Sequence, residues 1–302
     1  MKRIKYHAFL LLLLLASCKN VEQNETQIIT EDSKIEVQGH RGQRGHSPEN
    51  SISGFLAAIE KGVDVVEMDV VMSKDGEIVV SHEPFMSSLY MLTPAGDTIA
   101  KSEELNYNLY AMTYDSIRRF DSGSKGNKLF PLQQTKKTYK PLLTEVIDSI
   151  ESYVHSNRLN EIGYNIEIKS GESEYGKSQP QPKEFVKAIM NILKGSPIIS
   201  RMNIQSFDIN ILEEMHKSYP EVKLAYLVGH GNFEENMERI SFQPEIYSPH
   251  FKLLNKKEVN SIKGVGMKVI PWTVNEQADI DAVKAMGVNG IITDFPERVI
   301  SQ

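Results

Sequence analysis

Between Ile35 and the C-terminus, short runs rich in β-branched and aromatic residues alternate with stretches whose apolar side chains recur every three or four positions. That is the pattern of strands alternating with amphipathic helices. Strands are predicted at 35–39, 65–71, 164–168, 202–206, 223–228, 245–249, 268–274 and 290–293. The first helix is marked by Ile52, Phe55, Leu56 and Ile59, with Asn50 or Ser51 as its N-cap and Gly62 as its stop. Further helices are predicted at 142–154, 184–193, 209–216, 234–240, 256–262 and 277–286. Eight strand–helix units over roughly 270 residues predict the α/β class, as a (β/α)8 TIM barrel with its site at the C-terminal ends of the strands. A doubly wound open sheet is the alternative.

One strand breaks this rhythm. The run 77–82 follows 65–73 across Lys74-Asp75-Gly76, a link too short for a parallel crossover, and so predicts the second arm of a hairpin. Counting across a turn centred on Asp75 sets His82 opposite the 68–70 stretch, next to Glu67 and Asp69. After this β2 hairpin comes a segment, about 83–140, rich in Gly, Pro, Asn, Ser and Tyr and without periodicity. It reads as an inserted cap over the barrel mouth.

The first 34 residues carry other signals. Lys2, Arg3 and Lys5 precede an apolar run, Phe9 to Ala16, which is too short to span a bilayer and ends in Leu15-Ala16-Ser17-Cys18. Residues 1–18 resemble a bacterial lipoprotein signal peptide with Cys18, the only cysteine, as the lipidated residue. Residues 19–34 are polar and acidic and predict a flexible tether. The expected localisation is therefore export, with a lipid anchor in a bacterial membrane.

Composition is that of a globular chain, 40% hydrophobic and 25% charged over 302 residues. A net charge of −6 offers no basic surplus to neutralise a nucleic-acid backbone, so nucleic acid is not an expected partner. The chemistry concentrates where strands or the hairpin arm end: His40-Arg41-Gly42, Glu67-Met68-Asp69, Ser81-His82-Glu83 and Glu167-Ile168-Lys169. In a strand, side chains two apart share a face, so Glu67 and Asp69 point one way, as do Glu167 and Lys169, while Met68 and Ile168 pack behind. Three converging carboxylates suit a hard divalent cation, Ca2+ or Mg2+. They could also be a plain salt-bridge network with Arg41 and Lys169. Two histidines in the same set add a candidate general acid and base, and the two cations add a clamp for phosphate oxygens.

These motifs, with Pro48-Glu49-Asn50 and Pro271-Trp272-Thr273-Val274-Asn275, resemble in order the motif series of the glycerophosphodiester phosphodiesterase family over nearly the whole of 35–302. The resemblance implies a TIM barrel, with His40 and His82 as catalytic histidines and Glu67, Asp69 and Glu167 as metal ligands. Arg41 and Lys169 match phosphate-contacting positions, and Glu49 matches a residue near the site or an anchor of its loop. Many members carry Asp where Glu83 follows His82, and the insertion is long. The implied reaction is metal-dependent hydrolysis of a small phosphodiester to glycerol 3-phosphate and an alcohol. His40 is the expected base, and the attacking oxygen comes from water or from a neighbouring glycerol hydroxyl. Gln205 and Trp272 are further substrate-contact candidates, while Asp294 reads as a position near a strand end or as the cap of the last helix. His46 and His250 lie nearest the mouth loops among the other histidines. Competing readings are a phospholipase-like enzyme acting on intact lipids, a glycoside hydrolase, and a phosphoester-binding lipoprotein without turnover.

Overall fold

A computed structural model describes residues 34–300. The predicted leader, Cys18 and almost all of the tether lie outside the described residues. Short runs buried on both faces, as parallel strands under helices are, form β1 (Glu36–Gly39), β2 (Val65–Met72), β4 (Gly163–Ile168), β5 (Met202–Ser206), β6 (Lys223–Val228), β7 (Ile246–Pro249), β8 (Lys268–Val269) and β9 (Gly290–Thr293). All eight pair in parallel, in the order β8-β7-β6-β5-β4-β2-β1-β9. The ends of that order meet through Asn289 N–H to Val269 O, 2.8 Å, and Ile292 N–H to Pro271 O, 3.0 Å. The sheet is thus an all but closed TIM barrel, as the strand count predicts.

Helices follow the strands: α1 (Ile52–Lys61), α2 (Tyr114–Ile117), α3 (Leu143–Ser156), α4 (Pro182–Leu193), α5 (Ile209–Ser218), α6 (Phe233–Met237), α7 (Lys256–Gly264), α8 (Gln277–Met286) and α9 (Pro296–Ile300). Ser51, not Asn50, caps α1: its hydroxyl accepts the Gly54 N–H at 3.0 Å, and Gly62 closes the helix in the left-handed region. Apolar helix faces cover the outward side chains of the strands, including Val66, Met68, Val70, Tyr164, Ile166 and Ile168, in one continuous core. Among the described residues, no helix is long and apolar enough to cross a membrane.

Two elements are shorter than their patterns predict. β8 stops at Val269 because Pro271 has no N–H to donate to a ladder, although the chain keeps its course through Trp272 N–H to Pro249 O at 3.1 Å. α6 ends at Met237 and not at 240; there Ser241 turns away and binds Glu213 of α5 through both its N–H and its hydroxyl.

The hairpin forms as predicted. β3 (Ile78–Val80) runs antiparallel to β2, with Val80 opposite Val70 and Ile78 opposite Met72. Ser81 N–H to Asp69 O, 2.9 Å, extends that register and sets His82 level with Met68. The insertion is not a bare excursion. Met86, Met91, Leu109, Ile117 and Phe120 build a second small core against Val71 and Val79 on the far face of the hairpin.

The barrel interior is half polar. Ala225, Ile246, Ile270 and Ile292 fill one side. On the other, Asn203 donates to Asn165 Oδ1 (2.6 Å), Asn165 donates to Gln38 Oε1 (2.7 Å) and Gln205 Oε1 (3.1 Å), and Gln205 donates to Glu67 Oε1 (2.9 Å). This buried amide ladder runs up the barrel to the first carboxylate of the mouth. Because Ile166 packs only on the helix side of β4, Ile166→Ala should cost about 2–5 kcal/mol in urea unfolding while leaving divalent-cation affinity within twofold.

Candidate active site

The mouth is assembled from strand ends. After Gly39 the chain turns through Arg41 at φ +51° and Gly42 at φ +87°. A Cβ at 42 would stand 2.6 Å from the Gly54 carbonyl carbon, so only glycine lets this turn tuck beneath α1. For Arg41 the left-handed conformation costs about 1–2 kcal/mol. It aims the Arg41 N–H at Glu67 Oε2, 2.9 Å away, while the side chain swings back to Glu49 (2.7 Å) and Asp69 (3.3 Å).

Parallel pairing of β2 with β4 sets Asp69 beside Glu167, and the two-residue period brings Glu67 to the same inner face. Oxygens of Glu67, Asp69 and Glu167 lie within 4.8 Å of one another, all three side chains buried. Each is held by neighbours. Glu67 accepts from the Arg41 backbone and from Gln205. Asp69 Oδ2 accepts from Asn50 Nδ2 at 2.8 Å, and Glu167 Oε1 from Lys169 Nζ at 2.6 Å. One oxygen is left over: Asp69 Oδ1 is buried with no hydrogen bond, its nearest cation Lys169 Nζ 3.9 Å away.

Burial raises the proton affinity of Glu67 well above the carboxylate norm, and the charges of Asp69 and Glu167 raise it further. Burial raises that of Glu167 as well, against the pull of Lys169. Asp69 goes the other way: burial opposes its charge, but Arg41, His82 and Lys169 outweigh that and keep it ionised. An oxygen-only donor set with an orphaned carboxylate oxygen, and two of its members short of countercharge, fits a hard divalent cation held by Glu67, Asp69 and Glu167.

The histidines flank this cluster. Desolvation first, and then Arg44, lowers His40 to a pKa of about 4 although Asp294 pulls upward, so the ring is neutral at pH 7. Its Nδ1 lies 2.7 Å from Asp294 Oδ1; with the proton on Nδ1, the Nε2 lone pair is free. Asp294 is itself fixed by Arg44 (2.7 and 3.1 Å) and Asn275 (2.7 Å). His82 places Nδ1 3.1 Å from Glu83 Oε1.

His40, Arg41, Glu67, His82, Glu167 and Lys169 all line one cavity of about 130 Å3, as do Gln205 and Trp272. Trp272 presents an aromatic wall with Phe207, its own N–H tied to Ser248 O at 2.9 Å. Glu49 does not reach the cavity; it stands behind Arg41 as its anchor. His46 is turned outward to Glu297 and Phe295, and His250 sits beside Trp272, its ring centroid 5.2 Å away. Three roles are not readable from motif order alone. Asn50 holds Asp69 and does not cap α1, Asp294 orients His40 and does not act merely as a cap, and Arg44 steadies Asp294 from the same turn as Arg41. The one available signal was position: Asp294 and Asn275 both follow strand ends at the mouth.

This fold and this cluster of carboxylates, imidazoles and cations at its mouth define a TIM-barrel phosphoester site. Residues 40–298 match the glycerophosphoryl diester phosphodiesterase family, and the chain belongs to that family. It is an enzyme of the phosphoric diester hydrolase class. A glycerophosphodiester phosphodiesterase of Caldanaerobacter subterraneus is 31% identical over 270 residues, spanning 89% of this chain and 97% of its own. A solved glycerophosphoryl diester phosphodiesterase from Silicibacter pomeroyi superposes with a TM-score of 0.76 at 27% identity, covering 88% of this chain and 91% of its own. An Oleispira antarctica phosphodiesterase, solved with the product sn-glycerol-3-phosphate, has a TM-score of 0.68 at 23% identity over 88% of this chain and 95% of its own.

If the triad is the cation site, Asp69→Asn should weaken Ca2+ or Mg2+ binding by at least about tenfold in calorimetry. Wild-type affinity should rise with pH, because the cation competes with the proton that Glu67 and Glu167 bind unusually well.

Proposed function

We propose that the protein hydrolyses glycerophosphodiesters to glycerol 3-phosphate and an alcohol, using a divalent cation and two histidines. The single observation that carries this reading is His40: neutral, oriented by Asp294, and sharing one cavity with His82 and with Glu67 and Glu167 of the buried carboxylate triad. The cation, Ca2+ or Mg2+, would neutralise charge on the phosphoryl group. Arg41 and Lys169 share that task from the cavity wall and keep the three carboxylates together when no anion is bound. His40 Nε2 takes the proton of the attacking hydroxyl, and Asp294 stabilises the imidazolium that results. His82, on the hairpin arm, acts as its imidazolium: it gives the Nε2 proton to the departing alcohol oxygen while its Nδ1–H stays on Glu83. The cavity is smaller than the ~300 Å3 at which pockets for drug-sized ligands begin, which suits a phosphoryl group and a short polyol, with the alcohol moiety extending outward.

We also propose that the enzyme is exported and anchored through Cys18. Replacing Cys18 with Ser should move it from the membrane fraction to the soluble fraction.

With glycerophosphocholine, glycerophosphoethanolamine or glycerophosphoinositol and added cation, the wild type should release glycerol 3-phosphate. His40→Ala and His82→Ala should each lose at least about a hundredfold in kcat. Release from intact phospholipid alone would favour the phospholipase-like alternative, and cation binding without any turnover the binding-protein alternative. At saturating cation, the acid limb of kcat/KM should lie near pH 4, where His40 takes up a proton, and not in the ordinary imidazole range. The sign follows from its role: a base works deprotonated, and lowering its pKa widens the active range toward acid. An acid limb in the ordinary imidazole range would remove His40 from this part.

A further inference from the structure

Among the described residues, Lys140 is the one buried cation near the mouth to which the reaction assigns nothing. It is 3% exposed, closes the insertion, and burial pulls its proton affinity down. Its direct partners are two hydroxyls and not a carboxylate: Ser81 Oγ at 2.7 Å and Tyr90 Oη at 3.2 Å. An apolar side chain would fill this place at less desolvation cost. Both hydroxyls pass their own protons to the same residue. Ser81 Oγ donates to the Glu83 carbonyl at 2.6 Å, and Tyr90 Oη donates to Glu83 Oε2, also at 2.6 Å. The other carboxylate oxygen, Oε1, faces His82 Nδ1 at 3.1 Å.

We infer that Tyr90 and Lys140, at the two ends of the insertion, are positioning residues for catalysis: they clamp Glu83, and Glu83 fixes the tautomer and tilt of the His82 ring. Glu83 has three rotatable bonds and lies beside the ring it must hold, at a bend after β3 where no ladder restrains it. A carboxylate so placed swings unless its far oxygen is tied down. Tyr90 supplies that tie, and Lys140 holds the hydroxyl in the donating orientation, because an ammonium can only donate to it. Burial would favour a neutral Glu83, but His82 and Lys140 outweigh that and keep it ionised, as an acceptor for the ring N–H must be. The insertion therefore completes the active site by holding the second histidine from its Nδ1 side.

This inference rests on the function proposed above, and one of its two tests does not need turnover. In long-range 1H–15N spectra of the full chain at pH 8, with His82 assigned from His82→Asn, the wild-type ring should carry its proton on Nδ1. In Tyr90→Phe that ring should shift to a mixture of tautomers. In the kinetic test on the preferred diester, Tyr90→Phe should lower kcat about tenfold with KM and cation affinity within about twofold. Lys140→Met should do the same where it folds. In a Glu83→Gln background, Tyr90→Phe should remove nothing further, since both act through one carboxylate. An unchanged tautomer in Tyr90→Phe overturns the clamp, as does a full tenfold loss persisting in Glu83→Gln. So does a loss that appears in KM or in cation affinity. A wild type that turns over none of the diesters fails the functional proposal instead, and the tautomer result then decides the clamp by itself.

Discussion

Three carboxylates buried within 4.8 Å of one another are the constraint around which this barrel is organised. Left alone, such a cluster would protonate or push apart. What surrounds it is compensation: the Arg41 backbone, held in a left-handed turn so that its N–H reaches Glu67; Asn50, held at φ +51° beside Asp69; Lys169, two residues along from Glu167; and Gln205, at the top of the amide ladder. The compensation is incomplete at Asp69 Oδ1, and this residual demand is one that a hard cation would meet.

Much of this could be read from the chain because its causes are local. Strand periodicity alone puts Glu67 and Asp69 on one face and Met68 behind them, and a three-residue turn is enough to return His82 to the same strand end. Pro271 shows the limit of the pattern: the apolar run through 268–274 looks like one strand, but the missing N–H ends the ladder early. Asp294 and Asn50 were harder because capping chemistry is a sufficient local explanation for both. Their partners lie 254 and 19 residues away in sequence, and only the pairing of β1 with β9 and with β2 brings them together. The insertion carried the least signal. Its small core comes from scattered Met, Tyr and Ile residues without a repeat, and its buried lysine looks in sequence like one more cation in a basic loop.

The two histidines are consequently supported in unlike ways. His40 is held by residues of the barrel itself, with Asp294 and Asn275 following β9 and β8 and Arg44 following β1. His82 stands on a hairpin arm whose outer face belongs to the insertion. Residues 130–134 of that insertion also reach the other side of the mouth, where Phe130 stacks on Arg44 and Gln133 donates to the Arg44 carbonyl at 2.7 Å. One excursion from the fold thus touches the support of both rings.

The polar side of the barrel floor carries a different implication. A barrel interior is usually filled by layers of branched aliphatic side chains. Here Asn203, Asn165 and Gln205 form an unbroken donor–acceptor series ending on Glu67, with Gln38 accepting from Asn165 as a side branch, so the amide at each step dictates which way the next one faces. Replacing any one with leucine strands a buried donor or acceptor in its neighbour, and at Gln205 it leaves Glu67 held by the Arg41 N–H alone. The rim of this enzyme is consequently not a transferable part: a site grafted onto another barrel would need the floor transplanted with it.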